Sequence, residues 1–317
     1  MILYSLVAVL AVGLSLPVDN HYENKGFLYT RQQVLNRLCL VSVFLLLFLV
    51  SALRLNVGND YAKYVEFMHL IRCDAVVPTE FGFNWVVKIL YGISGFENYL
   101  LVFAVFAFAT IYLFLKAIYQ QADSFPFSFF LFMALGYYFQ TFNTVRYYLA
   151  LAIALFAIPY VLRKEWGKFI LLILLGATMH KSLLVVIPLY FLASRCWKKW
   201  QLVLAALFCL TFFFLQDFYL KLVIFLYPTY EDTEYLEGGT SMINILRCAA
   251  VLVLALLCYK KCVKENIRNR FYFYCNLGAL AMYVCCSFLP IISRIGYYLT
   301  ITHIFFLPAL VNGIENE

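Results

Sequence analysis

The sequence is poor in charged residues, which make up only 13% of its 317 positions. Soluble domains contain about 25% charged residues, so this scarcity excludes an ordinary soluble globular protein. In their place the chain has 65% hydrophobic residues and a mean hydropathy of +0.85. Uncharged apolar runs recur along its whole length, and a membrane-spanning helix needs about 20 such residues. The sequence therefore predicts an integral membrane protein with all-α architecture.

The common metal-binding and cofactor-binding motifs are also missing. There is no CxxC or HExxH motif, the four histidines are scattered, and most of the ten cysteines fall within apolar runs. We therefore expect neither a structural zinc nor any other metal or cofactor. The net charge of +7 does not indicate nucleic-acid binding, because the basic residues occupy short loops between apolar runs. That distribution is typical of the cytoplasmic loops of membrane proteins.

Apolar runs and helix breakers predict nine spanning helices. The first of them starts at the N-terminus, where the absence of a basic segment favours a span over a cleaved signal peptide. Residues 83–94 are too short and too polar to span, and predict an interfacial or re-entrant helix. The predicted helices are 1–17, 36–53, 97–116, 125–141, 146–162, 200–216, 242–259, 271–290 and 295–311.

The segment 168–193 is apolar except for the His-Lys-Ser tripeptide at its centre, where a lysine in a continuous helix would cost about 3 kcal/mol. Basic residues mark the loops near 165, 194–199 and 260–270 as cytoplasmic, which requires 168–193 to cross twice. We therefore predict a broken or re-entrant helix pair with His180 at the turn. The count rises to about 10–11 transmembrane segments in a single domain, 1–317, with outer loops 54–96 and 217–241.

The remaining polar residues then gather on the outer surface, which predicts a functional site there. The loop 217–241 is acidic, contains two adjacent glycines, and is expected to cover this site. Arg294, Tyr297 and Tyr298 are spaced to share one face of the last helix. The other candidate site residues are Arg54, Asp60, Glu80, Asn143, Arg146, His180 and Ser182.

Four sequence blocks resemble one known family. "RLNVGNDYAKYVEF" with "TEFGF", "FNTVRYYLALAIALFAI", "MHKSLLVVIPLYF" and "SRIGYYL" are similar to motifs of the EpsG family, a branch of the Wzy-like polymerases of bacterial surface polysaccharides. The blocks occur in the family's order and cover about residues 50–300. One departure is Tyr147, where the family usually has Gln. Members often continue further after the last block, so a terminal span is expected to be absent here.

The resemblance implies a glycosyltransferase-type polymerase in the bacterial cytoplasmic (inner) membrane, with a fold similar to the GT-C type. Such an enzyme polymerises undecaprenyl-diphosphate-linked oligosaccharide repeat units into O-antigen, capsule or exopolysaccharide at the outer face. A flippase and a chain-length regulator of the same pathway are the expected partners, besides the lipid bilayer.

The chemistry of this reaction suggests roles for the candidate residues. Arginine suits the diphosphate leaving group because its planar fork binds phosphate oxygens bidentately, and the expected residues are Arg54, Arg146 and Arg294. The base for the acceptor hydroxyl is expected among His180, Asp60 and Glu80. Four tyrosines are expected to stack on sugar rings, namely Tyr61, Tyr64, Tyr297 and Tyr298.

Two other functions fit part of the sequence. A flippase or other transporter for lipid-linked oligosaccharide would also use broken helices, although the polar residues gather on one side and no internal repeat is present. A ligase for polyprenyl-phosphate-linked glycans, or a membrane acyltransferase, would use the same lipid face. The sequence favours the polymerase over both.

Overall fold

The protein is mostly helical, because an α-helix pairs the backbone N–H and C=O groups of an apolar segment within that segment. The computed structural model describes residues 2–22, 30–226, 241–289 and 291–315, and 79% of the chain is helical, with no strand among the described residues. By length and composition, three of the described helices could cross a membrane, or five if each of two bent helix pairs counts as one span. These features define a multi-pass membrane protein.

The chain folds into two compact units, Met1–Leu184 and Val185–Glu317. The single transmembrane domain expected from the sequence stays a prediction. The first unit contains α1 (Ile2–Ser15), α2 (Arg31–Ala52), α3 (Tyr61–Arg72), α4 (Phe81–Ser94), α5 (Tyr99–Gln121), α6 (Phe125–Ala134), α7 (Tyr137–Gln140), α8 (Val145–Leu162) and α9 (Trp166–Ala177).

The core of the first unit is built on α5 and α8. These two helices pack against each other, with α2 beside α5 and α9 beside α8. The short helices α3 and α4 pair with one another, and α4 also contacts α5. Small residues such as Ala150 and Ala154 are fully buried on α8 and allow its neighbours to approach closely. The middle of this unit is thus a closely packed helical core.

The second unit begins inside a 3₁₀-helix, Lys181–Val185, which leads directly into α10. Within this unit α14 contacts α10, α11, α13, α15 and α16. Its helices are α10 (Val186–Ala193), α11 (Lys199–Phe214), α12 (Gln216–Leu226), α13 (Met242–Leu257), a π-helix (Tyr259–Val263), α14 (Ile267–Cys285), α15 (Ile291–Thr300) and α16 (His303–Glu315).

A buried polar network fixes the centre of the second unit. His303 Nε2 lies 2.8 Å from Asn276 Oδ1, and Asn276 Nδ2 donates to the Cys248 carbonyl over 3.0 Å. The network joins α13, α14 and α16, and it gives both ends of the Asn276 amide a partner inside an apolar environment. His303 therefore has a packing role in the second unit.

Several predicted elements differ from the observed ones. The predicted helix 125–141 is divided by Gly136, whose φ of 77° ends α6 in a left-handed conformation. The predicted helix 295–311 is two helices, α15 and α16, bent by 41°. Part of the predicted outer loop 54–96 forms α3, and residues 216–226 form α12 instead of the start of an outer loop. The proposed acidic cover falls mostly on residues 227–240, which lie outside the described residues.

The predicted break within 168–193 is confirmed. Helix α9 ends at Ala177, the segment Thr178–His180 is turn or irregular, and the 3₁₀-helix starts at Lys181. The backbone N–H of His180 still donates to the Gly176 carbonyl over 3.2 Å, which ends α9 in a tight turn. His180 thus lies in the break between the short helix α9 and the 3₁₀-helix that follows it. A re-entrant hairpin formed by 168–193 stays a prediction.

Candidate functional site

Three candidate residues from distant parts of the sequence meet at the carboxylate of Glu80. Its Oε2 atom accepts a hydrogen bond from the Arg146 guanidinium. Its Oε1 atom lies 3.1 Å from His180 Nδ1 and also accepts from the backbone N–H of Lys181 over 3.1 Å. We call Glu80, Arg146 and His180 the Glu80 cluster. All three residues belong to the first unit.

Glu80 is held in place by close contact between the start of α4 and the turn after α9. The Gly82 N–H donates to the Thr178 carbonyl over 2.9 Å. A Cβ atom on Gly82 would lie 2.7 Å from that carbonyl oxygen, too close for any other residue without displacement. Glu80 itself occupies the N-cap position of α4, yet its side chain makes no capping hydrogen bond to the N–H groups of that helix. Its carboxylate points to Arg146 and His180 instead.

Arg146 lies in the first turn of α8, where the helix dipole disfavours a positive charge. The ion pair with Glu80 offsets this effect. The guanidinium also lies 5.3 Å from the Phe83 ring and 5.7 Å from the Tyr64 ring, within cation–π range. Its Nε is buried and has no hydrogen-bond partner among the described residues. Arg146 therefore keeps donor capacity beyond the bond to Glu80.

The orientation of His180 follows from the ionisation of Glu80. Burial alone would raise the pKa of Glu80, but the hydrogen bond from His180, the charge of Arg146 and the Lys181 N–H outweigh it and lower the pKa to about 2. An ionised carboxylate can only accept hydrogen bonds, so Nδ1 of His180 carries the hydrogen. In the neutral ring Nε2 is then the proton acceptor.

The cluster remains accessible to a ligand. The side chains of Glu80, Arg146 and His180 retain 15%, 13% and 18% of their full exposure. The edge of the His180 ring also packs against Tyr147, with ring centres 5.7 Å apart and planes at 87°. This partial burial strengthens charge interactions without closing the site. The arrangement can hold an anion at Arg146 and accept a proton at His180.

Arg54 occupies a different, buried position. Its Nη1 donates to the Ser51 carbonyl and hydroxyl over 3.0 Å each, and its guanidinium lies 5.0 Å from the ring centres of Phe103 and Phe142. Burial lowers its pKa to about 10, so it stays charged at neutral pH. Only 7% of the residue is exposed. As placed, Arg54 can stabilise the loop packing beneath the site but offers little surface to a substrate.

The loop that carries Asp60 is tied to the loop before α8. The Asn59 N–H donates to Asn143 Oδ1 over 3.0 Å, and Gly58 (φ 110°) lies against the Phe142 carbonyl. Asp60 occupies the N-cap position of α3 and is partly exposed. Asn143 is therefore a structural link between two loops, and it ties the loop that carries Asp60 to the segment that precedes Arg146.

The predicted sugar-stacking tyrosines are mostly buried. Tyr61 stacks on Phe103 with ring centres 4.9 Å apart, and Tyr64 packs between Phe83 and Phe103. In the second unit Tyr298 is fully buried, and its carbonyl accepts from the Tyr190 hydroxyl over 2.9 Å. A buried ring has no free face for a sugar. Among the four tyrosines the stacking hypothesis is therefore retained only for Tyr297, which is partly exposed.

The remaining candidates are placed as follows. Ser182 lies in the 3₁₀-helix directly after His180 and is partly exposed. Arg294 is exposed on α15 in the second unit. Its phosphate-binding role stays a prediction. Within the described ranges, no three His, Cys, Asp or Glu side chains come together in a way that could hold a metal ion.

Sequence reasoning missed the contacts that orient the cluster. Phe83 under Arg146, Tyr147 against His180 and the Gly82–Thr178 contact were not singled out as parts of a site. The signal for one of them was present, because glycine is a poor helix former and its presence in a helical segment can mark close packing. The "EFGF" sequence, with Glu80 two residues before that glycine, could therefore have indicated the contact.

The helical architecture and the Glu80 cluster together define a multi-pass membrane protein with a polar site at loops that join its helices. The model of the EpsG family matches residues 37–317, which is most of the chain. The chain therefore belongs to the EpsG family, and the resemblance seen in the sequence motifs is confirmed. Membership indicates a glycosyltransferase-like polymerase of polysaccharide biosynthesis. No curated protein and no solved structure matches the chain significantly.

Proposed function

We propose that the protein polymerises undecaprenyl-diphosphate-linked oligosaccharide repeat units into a bacterial surface polysaccharide. The observation that supports this most is the Glu80 cluster, which joins an arginine suited to phosphate with a histidine suited to proton transfer. The three residues come from three separate family motif blocks. Glycosyl transfer from a lipid diphosphate requires both kinds of group.

His180 acts as the general base in this proposal. Its Nε2 removes the proton from the acceptor sugar hydroxyl while that oxygen bonds to the anomeric carbon of the donor. The bond between the anomeric carbon and the diphosphate oxygen breaks, and its electron pair leaves with the diphosphate. Glu80 is a positioning residue for this step. It already accepts three hydrogen bonds and its pKa is low, which makes it a weak base.

Arg146 stabilises the charge that develops on the diphosphate. Its Nη1 donates to Glu80, and the remaining hydrogens of the guanidinium fork can donate to phosphate oxygens. A donor that is oriented before the reaction costs no reorganisation in the transition state. Asp60 is the rival base, because it lies on the loop that is tied to the segment before Arg146.

The location that fits this chemistry is the outer face of the bacterial cytoplasmic membrane. We propose about 10–11 transmembrane segments in a GT-C-like arrangement, with the Glu80 cluster in outer loops and the basic loops on the cytoplasmic side. This places the cluster where flipped lipid-linked repeats are available. A flippase that supplies the repeats and a chain-length regulator that limits the polymer are the expected partners.

The decisive experiment uses the purified full chain in lipid vesicles with undecaprenyl-diphosphate-linked repeat units. Wild-type protein should convert them into a ladder of polymer products. His180→Ala should reduce turnover by about 10²–10⁴-fold and leave single repeats, whereas Asp60→Asn should retain most activity. Near-normal turnover of His180→Ala with loss of activity in Asp60→Asn would move the base to Asp60. A product that results from a single transfer and is never extended would indicate a ligase. Movement of the lipid-linked repeat across the vesicle membrane without a new glycosidic bond would indicate a flippase.

A further inference from the structure

Helix α4 has two apolar faces, of which only one is covered by the protein. Gly82, Phe83, Val87 and Tyr91 are buried against the first unit. The opposite face carries a second apolar row at spacings of four residues. This row consists of Phe81, Trp85, Ile89 and Ile93, with exposures of 64%, 60%, 49% and 74%, and we call it the α4 stripe.

The stripe differs from the lipid-facing side of a spanning helix. With 14 residues α4 is about 21 Å long, too short to cross a bilayer, and it carries Asn84 and Lys88. Lys88 forms an ion pair with Asp74 beside the stripe, and a cleft of about 210 Å³ opens between this pair and Phe81 and Trp85. Such a helix is typical of the membrane interface, with its apolar face in the acyl-chain boundary.

The stripe begins at the Glu80 cluster. Phe81 directly follows Glu80, whose carboxylate pairs with Arg146. The Arg146 guanidinium also contacts the ring of Phe83. Phe83 belongs to the covered face of α4, so an anion held at Arg146 would reach the stripe around the N-terminal end of the helix, past Phe81. A long apolar chain attached to that anion could follow α4 away from the cluster.

We propose that the α4 stripe binds the polyprenyl chain of the lipid-linked substrate, with the diphosphate at Arg146 and the chain running along Phe81, Trp85, Ile89 and Ile93. This inference rests on the proposed function. Successive side chains of the stripe are about 6 Å apart along the helix axis, a step comparable to one isoprene unit. The aromatic members lie at the end nearest the diphosphate, as aromatic residues do beside lipid headgroups.

The proposal predicts an effect that depends on the length of the lipid. The test compares an undecaprenyl-diphosphate-linked repeat unit with the same repeat unit on geranyl diphosphate, which is too short to follow the stripe. The double variant Trp85→Ser with Ile89→Ser should raise KM for the undecaprenyl donor at least about ten-fold, or about 1.4 kcal/mol. It should leave both KM and turnover for the geranyl donor unchanged.

Trp200→Ser is the matched control, since Trp200 has a similar exposure of 57% and lies in the second unit. This variant should not change KM for either donor. An equal change of KM for both donors in the α4 variant, or none for either, would overturn the proposal and leave the stripe as a contact with bulk lipid.

Photo-crosslinking separates this inference from the proposed function. A benzophenone amino acid at position 89 should crosslink to radiolabelled undecaprenyl diphosphate, and excess unlabelled undecaprenyl diphosphate should compete where phospholipid does not. If this crosslink forms while the wild-type chain makes no polymer, the lipid site stands and the polymerase assignment fails. A crosslink to phospholipid or to another polypeptide, without one to undecaprenyl diphosphate, would overturn the inference in either case.

Discussion

Glu80 Oε1 lies 3.1 Å from Nδ1 of His180, although the two residues are 100 positions apart in the sequence. Since Glu80 is ionised, it can only accept hydrogen bonds, and the pair fixes one tautomer of the histidine. The base of the proposed reaction therefore depends on a carboxylate that never touches the transferred proton. Glu80 thus has the role of the third group that orients the base beside a nucleophile in other enzymes.

The first prediction concerns the role of Glu80 as a positioning residue. Glu80→Gln should lower kcat by about 10²–10⁴-fold with little change in KM, because the amide can donate to Nδ1 and so stabilise the tautomer that protonates Nε2. Glu80→Asp should be intermediate. The measurement is the pH profile of kcat with purified protein and lipid-linked repeats. A Glu80→Gln variant with the wild-type pH profile would show that the contact is only structural.

The low pKa of Glu80 also predicts how stability changes in acid. A group whose folded pKa is lowered from 4.5 to about 2 stabilises the fold above pH 4.5, and the contribution is lost as pH falls towards 2. It amounts to at most about 3 kcal/mol. Thermal unfolding of the detergent-solubilised chain should show a decrease in stability over this pH range. Glu80→Gln should lack this component, and equal acid sensitivity of both proteins would contradict the prediction.

Substitution of Arg146 tests whether phosphate is recognised by the geometry of the guanidinium group or only by its charge. Arg146→Lys keeps the charge but loses the planar fork. Turnover should fall by about 10²–10³-fold, close to the effect of Arg146→Ala. Arg72→Lys, at an exposed position on α3, is the control for a conservative exchange and should be neutral. Full activity of Arg146→Lys would exclude the bidentate role.

Much of the fold was predictable because its physical signals are local. Lys181 in an apolar run indicated that 168–193 could not be one continuous helix, and the structure breaks there. Helix α3 was missed because charged residues interrupt it, while its buried members Tyr61, Tyr64 and Met68 are explained only by packing in the folded unit. The individual site residues carried motif signals. Their contact at Glu80 did not, since it depends on three loops that meet only in the tertiary structure.

Gly82 provides a test of the close approach that positions Glu80. Gly82→Ala would place a methyl group 2.7 Å from the Thr178 carbonyl oxygen and push α4 away from His180. A displacement of about 1 Å can cost about 10²-fold in rate, so the variant should lose most of its activity. Gly92→Ala on the same helix is the matched control, because no atom lies within 4 Å of its Cβ position. It should keep full activity, with up to about 1 kcal/mol of added helix stability. Equal activity of the two variants would show that the Gly82 contact does not position the site.

The final prediction uses two native cysteines to test the topology. Cys73 follows α3 and Cys196 lies between α10 and α11, and both are exposed free thiols. If 168–193 crosses the membrane twice, the loop that contains Cys196 is cytoplasmic, as its basic residues indicate, while Cys73 faces outward. A chain that retains only Cys73 should react with a membrane-impermeant maleimide on intact spheroplasts, and a chain that retains only Cys196 should react after permeabilisation alone. A single crossing would instead place Cys196 on the same side as Cys73. Labelling of both thiols on intact spheroplasts would therefore contradict the double crossing of 168–193. It would also contradict the outward position expected for the loops that follow.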